Sequence, residues 1–186
     1  MSIHAQNKAA KPMLWISMAS MAMVFAGLTS AYVVRRAEGD WMEFALPDSM
    51  YYATGILALS SITMILAQRA FKFGKSRMGS IYLLGTFILG IGFLIAQYFG
   101  WDNLIGRGIY FTGEDFNAAG GFLYVLTFVH ICHLIGGLIA VLVTWIKSLR
   151  GAYSAENMLG VELTGIFWHF LDILWIYLFL FLLFIR

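Results

Sequence analysis

The apolar run at about 159–185 is long enough to cross a bilayer, yet it carries Glu162, His169 and Asp172. A spanning helix needs ~20 mostly apolar residues. An ionisable side chain deep in hydrocarbon costs at least ~2.5–3.5 kcal/mol on insertion scales. These three groups must therefore be satisfied by another helix, a lipid head group or a partner protein. Four further windows, 13–34, 49–68, 78–101 and 116–146, contain no charged residue. Hydrophobic residues make up 61% of the chain and charged residues 12%, against roughly 25% charged in a soluble domain. The pattern predicts an all-α integral membrane protein of five transmembrane helices, at about 13–35, 50–69, 78–99, 121–147 and 160–185. They form one domain, 13–186, behind an N-terminal tail, 1–12. The connections are too short for a soluble domain. The first window follows Lys8 and Lys11 and contains Thr29-Ser30-Ala31, which loosely resembles the cleavage site of a secretion signal. It is far longer than the ~7–15 residues of a signal core and is read as a span.

Charge predicts the orientation. Lys8, Lys11, Arg69, Lys72, Lys75, Arg77, Lys147 and Arg150 fall on one side. Arg35, Arg36, Arg107 and Arg186 fall on the other, with Glu38, Asp40, Glu43, Asp48, Asp102, Glu114 and Asp115. The positive-inside rule then puts the N-terminus and the tail in the cytoplasm and the C-terminus outside. The basic second connection would lie near anionic head groups. A net charge of +2 gives no reason to expect nucleic acid. The single cysteine, Cys132, excludes an intrachain disulfide, a Cys-x-x-Cys-His haem attachment and thiolate clusters. Phosphate-loop and serine-triad patterns are absent.

At 3.6 residues per turn, Glu162, Gly165, His169 and Asp172 form one polar seam on the fifth helix. His130 and His133 share a face of the fourth helix, above Gly136, Gly137, Ala140 and Thr144, small residues that let backbones approach. His130 and Asp172 should lie at matching depth. The expectation is that helices four and five pack with these faces together, allowing a His130–Asp172 hydrogen bond. Metal ligation by His130, His133, His169 and Glu162 is the weaker reading, because no known ligand motif surrounds the histidines. Trp168 and Trp175 sit on another face of the fifth helix and read as packing and lipid contact. Ser17, Ser20, Ser60, Ser61 and Thr63 read as close packing with local hydroxyl-to-backbone bonds. Intramembrane Glu, Asp and His could also form a proton path, but no internal repeat supports an inverted-repeat transporter.

Five stretches carry a family likeness, two of them specific. Trp168-His169-Phe170-Leu171-Asp172-Ile173-Leu174-Trp175, followed by Phe179, resembles the last-helix signature of subunit III of haem–copper terminal oxidases. Thr127-Phe128-Val129-His130-Ile131-Cys132-His133-Leu134-Ile135-Gly136-Gly137 resembles the paired-histidine helix of that family. Phe25-Ala26-Gly27-Leu28-Thr29-Ser30-Ala31-Tyr32, Leu59-Ser60-Ser61-Ile62-Thr63 and Gly92-Phe93-Leu94-Ile95-Ala96-Gln97 are similar to its other helices, in order. The chain resembles a short form that lacks the first two of seven helices.

The resemblance implies a non-catalytic subunit of a respiratory oxygen reductase, most simply a cytochrome c oxidase, in a bacterial inner membrane. Its partners would be the catalytic haem–copper subunit I, subunit II and phospholipid, with a larger respiratory supercomplex as a further candidate. Haem and copper would sit on partner subunits, and this chain would hold no cofactor. It would support proton uptake and durability in turnover. His133 matches a histidine that contacts a lipid head group, and Lys147 occupies a basic position that is often arginine. Glu162 matches an acid at the start of the last helix. Many members carry Ser-Glu where this chain has Ser20-Met21, so the role of that glutamate does not transfer. Two other readings stand beside this one: subunit III of a quinol oxidase or a nitric-oxide-reductase-associated homologue, and a stand-alone small transporter or proton channel.

Overall fold

The computed structural model describes residues 3–38, 41–112 and 117–185, with side chains from Ala9 onward. Five helices run in order: α1 Ile3–Arg36, α2 Asp48–Lys72, α3 Ser76–Gly106, α4 Ala118–Leu149 and α5 Leu159–Phe184. Each contains a window long and apolar enough to span a membrane. Of the groups used to read orientation, the Lys8 side chain, Asp40, Glu114, Asp115 and Arg186 lie outside the described residues.

The helices outrun their apolar windows where local chemistry allows. Helix α1 begins at Ile3 and passes through Pro12, so the expected tail is largely helical. Hydropathy marks where a helix enters hydrocarbon, and backbone hydrogen bonding decides where it starts. Helix α3 continues through Asp102 and Asn103 to Gly106 for the same reason. Helix α4 starts at Ala118 because the Asn117 side chain accepts the Ala119 amide at 2.8 Å, a typical N-cap bond. Between α2 and α3 the chain reverses tightly. Gly74 adopts φ 73°, and the Lys75 and Gly74 amides donate to the Ala70 and Phe71 carbonyls at 2.9 Å each. That pairing is a Schellman motif, whose left-handed position favours glycine.

Helices α2, α3, α4 and α5 form a closed ring in which each touches the next and α5 returns to α2. Helix α1 lies outside the ring, against α4 and α5. Its outward side chains remain exposed, Trp15, Ile16 and Met23 among them, as suits a face turned to lipid.

Trp168 and Trp175, both 0% exposed, fill the centre of the ring. A Cβ on Gly90 of α3 would lie 2.8 Å from the Trp168 ring, and one on Gly137 of α4 would lie 3.4 Å from it. Helix α3 thus approaches this indole more closely than a larger residue would permit, whereas a Cβ at Gly137 would meet it at ordinary contact distance and be tight only against the end of the Leu171 side chain, at 2.7 Å. Trp175 packs edge-to-face on Phe93 of α3, centroids 4.8 Å apart, and against the His130 ring of α4 at 5.1 Å. The tryptophans are therefore core, and the expected lipid contact is not found.

Lipid tails are as apolar as leucine, so helices in a membrane are held by packing and by polar contacts. Every neighbouring pair in the ring has such a contact. The Trp168 and Trp175 indoles donate to Ser60 Oγ and Thr54 Oγ1 of α2, at 3.0 Å each. Thr63 meets Thr86 across α2–α3 at 2.8 Å, and Ser80 meets Ser148 across α3–α4 at 2.9 Å. Thr144 meets Thr164 across α4–α5 at 2.8 Å. Helix α1 is tied to α5 by Thr29 and Tyr177 at 3.0 Å. Bonds of this kind average ~0.6 kcal/mol and reach ~1.7 kcal/mol in measured membrane cycles. The purely local reading of the hydroxyls holds for Ser17 and Ser20, which bond Met13 and Ile16 carbonyls. It fails for Ser60, Ser61 and Thr63, which also reach neighbouring helices.

Candidate functional site: the intramembrane polar groups

The seam on α5 is divided between two neighbours. Glu162, in the first turn, pairs with Lys11 of α1 at 2.6 Å, both side chains about half exposed. His169 and Asp172 turn toward α2, where His169 Nδ1 lies 2.7 Å from Ser61 Oγ. Asp172 is 4% exposed. Its carboxylate oxygens have no hydrogen-bond partner among the described residues. His169 Nδ1 stands 3.9 Å from Asp172 Oδ2, too far for a hydrogen bond.

The histidines of α4 face elsewhere. His130 is fully buried among Phe25 of α1, Phe93 of α3 and Trp175 of α5, with centroids 6.4, 5.9 and 5.1 Å away. Neither ring nitrogen finds a partner among the described residues. His133 bonds its own helix, Nδ1 to the Val129 carbonyl at 2.7 Å, and packs on Phe25 at 5.8 Å.

The expected His130–Asp172 hydrogen bond is therefore absent. Helices α4 and α5 do pack together, but α5 meets α4 through Trp168, Leu171 and Trp175. At ~100° per residue, Asp172 is turned ~40–60° off that tryptophan face, toward α2. Equal depth is necessary for such a bond, and the azimuth of each helix decides it.

Lys147 lies exposed in the last turn of α4. His133 is on the same helix, ~21 Å away along its axis at 1.5 Å per residue. Beyond α4, Tyr153 packs edge-to-face on Phe71 at 6.0 Å. Burial pushes its phenol pKa up, and a hydrogen bond from Thr144 works against that shift. Among the described residues, no three of His, Cys, Asp and Glu converge as a metal site would require.

These features define a polytopic helical membrane protein whose polar groups mainly join its own helices. The family model for "Cytochrome c oxidase subunit III" matches residues 44–185. A "Probable cytochrome c oxidase subunit 3" of Mycobacterium tuberculosis is 32% identical over 182 residues, covering 93% of this chain and 85% of the relative. The "Cytochrome c oxidase subunit 3" of a Bacillus species is 25% identical, over 89% of this chain and 80% of the relative. That of a Synechocystis species is 31% identical, over 84% and 67%. The chain belongs to the cytochrome c oxidase subunit III family. It is subunit III of a haem–copper oxidase and an integral protein of a bacterial membrane.

Proposed function

We propose that this chain is the supporting subunit of a cytochrome c oxidase, carrying no redox centre and keeping the catalytic subunit competent through repeated turnover. The observation that carries this reading is how the described histidines are used. His130 is enclosed by aromatic rings, His133 bonds its own helix, and His169 meets Ser61. Each is committed to packing or to a local contact, and no neighbouring ligand set surrounds it. Haem and copper belong on partner subunits in this account. The names of the relatives favour cytochrome c over quinol as the donor to the complex. The chain packs beside the haem–copper subunit I and subunit II, and it excludes water and lipid from that flank.

Orientation follows from charge. Arg69, Lys72, Lys75, Arg77, Lys147 and Arg150 support an orientation with the α2–α3 and α4–α5 connections in the cytoplasm, the N-terminus inside and the C-terminus outside. Lys147 at that face can extend along α4 to a lipid phosphate. His133, ~21 Å deeper along the helix, would need a separate lipid.

The test is purification of tagged chain from the native membrane in mild detergent. Haem absorbance and copper should co-purify, and both should leave when the subunit is separated from its partners. Stoichiometric metal retained on the isolated subunit, and lost in His130→Phe, would contradict this reading. A colourless chain that conducts protons in liposomes would favour the transporter alternative.

A further inference from the structure

A groove of about 860 Å³ opens between the C-terminal end of α1 and the N-terminal end of α4. Small-molecule sites occupy roughly 300–1,000 Å³. Gly27 and Ser30 of α1 and Gly121 and Phe122 of α4 line the groove, and Arg35 and Glu38 stand at the end where α1 leaves its apolar window. Arg35 Nη1 pairs with Glu38 Oε2 at 3.0 Å, and the Glu38 side chain is 64% exposed. Ser17 and Ser20 bond their own helix. Ser30 is exposed in the groove, and its hydroxyl has no partner among the described residues.

Length selects the occupant. Gly27 to Glu38 is ~16 Å at 1.5 Å per residue, about half of the ~30 Å hydrocarbon core. The groove is therefore one leaflet deep. A transmembrane helix of a partner spans both leaflets, and this groove stops near mid-bilayer. The order of chemistry along the membrane normal is that of a phospholipid. An ion pair lies at the interface, a hydroxyl lies ~7.5 Å deeper, and small apolar residues lie beneath it.

Charge selects the head group. Arg35 and Glu38 present one cation and one anion side by side. An anionic head group would suit Arg35 and be repelled by Glu38. A choline head group carries no N–H to give to the carboxylate. A phosphate followed by a primary ammonium matches both, through charge-assisted hydrogen bonds. Arg35 keeps its bond to Glu38 in this arrangement, and the lipid extends the pair into a set of alternating charges.

We propose that the α1–α4 groove seats one phosphatidylethanolamine-type lipid, with its phosphate on Arg35, its ammonium on Glu38 and an ester carbonyl accepting from Ser30. Its acyl chains run along Gly27 toward mid-bilayer. This seat lies at the opposite end of α4 from Lys147. It needs only that the chain spans a membrane, and so stands or falls separately from the supporting role in the oxidase.

The test is native mass spectrometry of the purified complex, delipidated and then given phosphatidylethanolamine, phosphatidylcholine or phosphatidylglycerol in separate samples. Wild type should retain phosphatidylethanolamine about fivefold better than either of the others. Glu38→Gln should bring phosphatidylethanolamine down to the level of phosphatidylcholine. A Cβ on Gly27 meets nothing within 4 Å, so Gly27→Leu fills the groove without disturbing the helix contacts. It should lower retention of phosphatidylethanolamine about fivefold. Unchanged subunit content of the complex shows that each variant has folded. Equal retention of the three lipids by wild type, or phosphatidylethanolamine held unchanged by both variants, overturns the proposal. So does a photoreactive benzoyl-phenylalanine in place of Ala31 that joins a transmembrane segment of another subunit, which would assign the groove to a protein partner.

Discussion

Trp168 of α5 and Ser60 of α2 are joined at the centre of the bundle by an indole N–H to hydroxyl bond of 3.0 Å. Ser60 donates its own hydrogen to the Leu57 carbonyl at 2.8 Å, so a lone pair remains for the indole. Trp175 and Thr54 repeat the arrangement two turns later, with Thr54 donating to Met50 at 2.8 Å. A hydroxyl that satisfies itself on its own helix can still accept from another.

Removing the donor and removing the ring should therefore differ. Trp168→Phe keeps an aromatic body and leaves Ser60 bonded to its own helix. It should lower stability by about 0.5–1.5 kcal/mol. Trp168→Ala opens a cavity at a fully buried site and should cost about 3–5 kcal/mol. Thermal unfolding of the purified subunit in one detergent gives both values. Equal losses would show that the hydrogen bond, and not the packing, dominates.

The glycines of α3 and α4 predict an ordering. A methyl at Gly90 would meet Leu138 at 2.7 Å and the rigid Trp168 ring at 2.8 Å. Gly90→Ala should destabilise by about 1–3 kcal/mol through overpacking. A methyl at Gly136 meets nothing within 4 Å, so Gly136→Ala should be neutral or stabilising by up to about 1 kcal/mol. Gly137→Ala should fall between them, since its 2.7 Å contact is with the end of the Leu171 side chain, which can move. Melting temperatures of the three variants check the order.

Lys11 and Glu162 are each about half exposed, and exposed pairs contribute ~0–1 kcal/mol. A double-mutant cycle of Lys11→Ala and Glu162→Ala should give a coupling of at most about 1 kcal/mol. The coupling should shrink as salt is raised, because exposed charges are screened. A larger, salt-independent coupling would mean that the pair is desolvated in the membrane interface.

Much of this arrangement was legible from sequence, and the rest had a physical reason to be hidden. The five spans follow from apolar length, because backbone polar groups in hydrocarbon must bond within a helix. The grouping of Glu162, His169 and Asp172 follows from helical period. Period says which residues share a face but not which neighbour that face meets. The expected His130–Asp172 bond failed there: Trp168 and Trp175 took the contact with α4, and Asp172 turned toward α2. The pairings of Thr54 and Ser60 with the two tryptophans were hidden because a serine or threonine on an apolar helix looks alike whether its hydroxyl serves one helix or two. The signal available was the tryptophan seven-residue spacing on a crowded helix, where each indole N–H would need an acceptor.

His130 predicts a tolerant site. Its ring nitrogens have no partner among the described residues, and three aromatic rings surround it. His130→Phe removes polar atoms that gain nothing there and adds only modest volume. It should change stability by no more than about 1.5 kcal/mol in either direction, with the haem spectrum of the complex unchanged. Loss of haem or copper signal in this variant would assign the ring a ligand role.

On the proposed function, this subunit sustains a reaction whose chemistry lies elsewhere. The most direct measurement is oxygen consumption by the purified complex, with and without this chain, followed from the first turnover until activity ceases. The depleted complex should show normal haem spectra and measurable initial activity, then a decline much faster than in the intact one, reversed when the subunit is added back. Depleted complex that turns over as fast and as long as the intact enzyme would contradict a supporting role for this subunit.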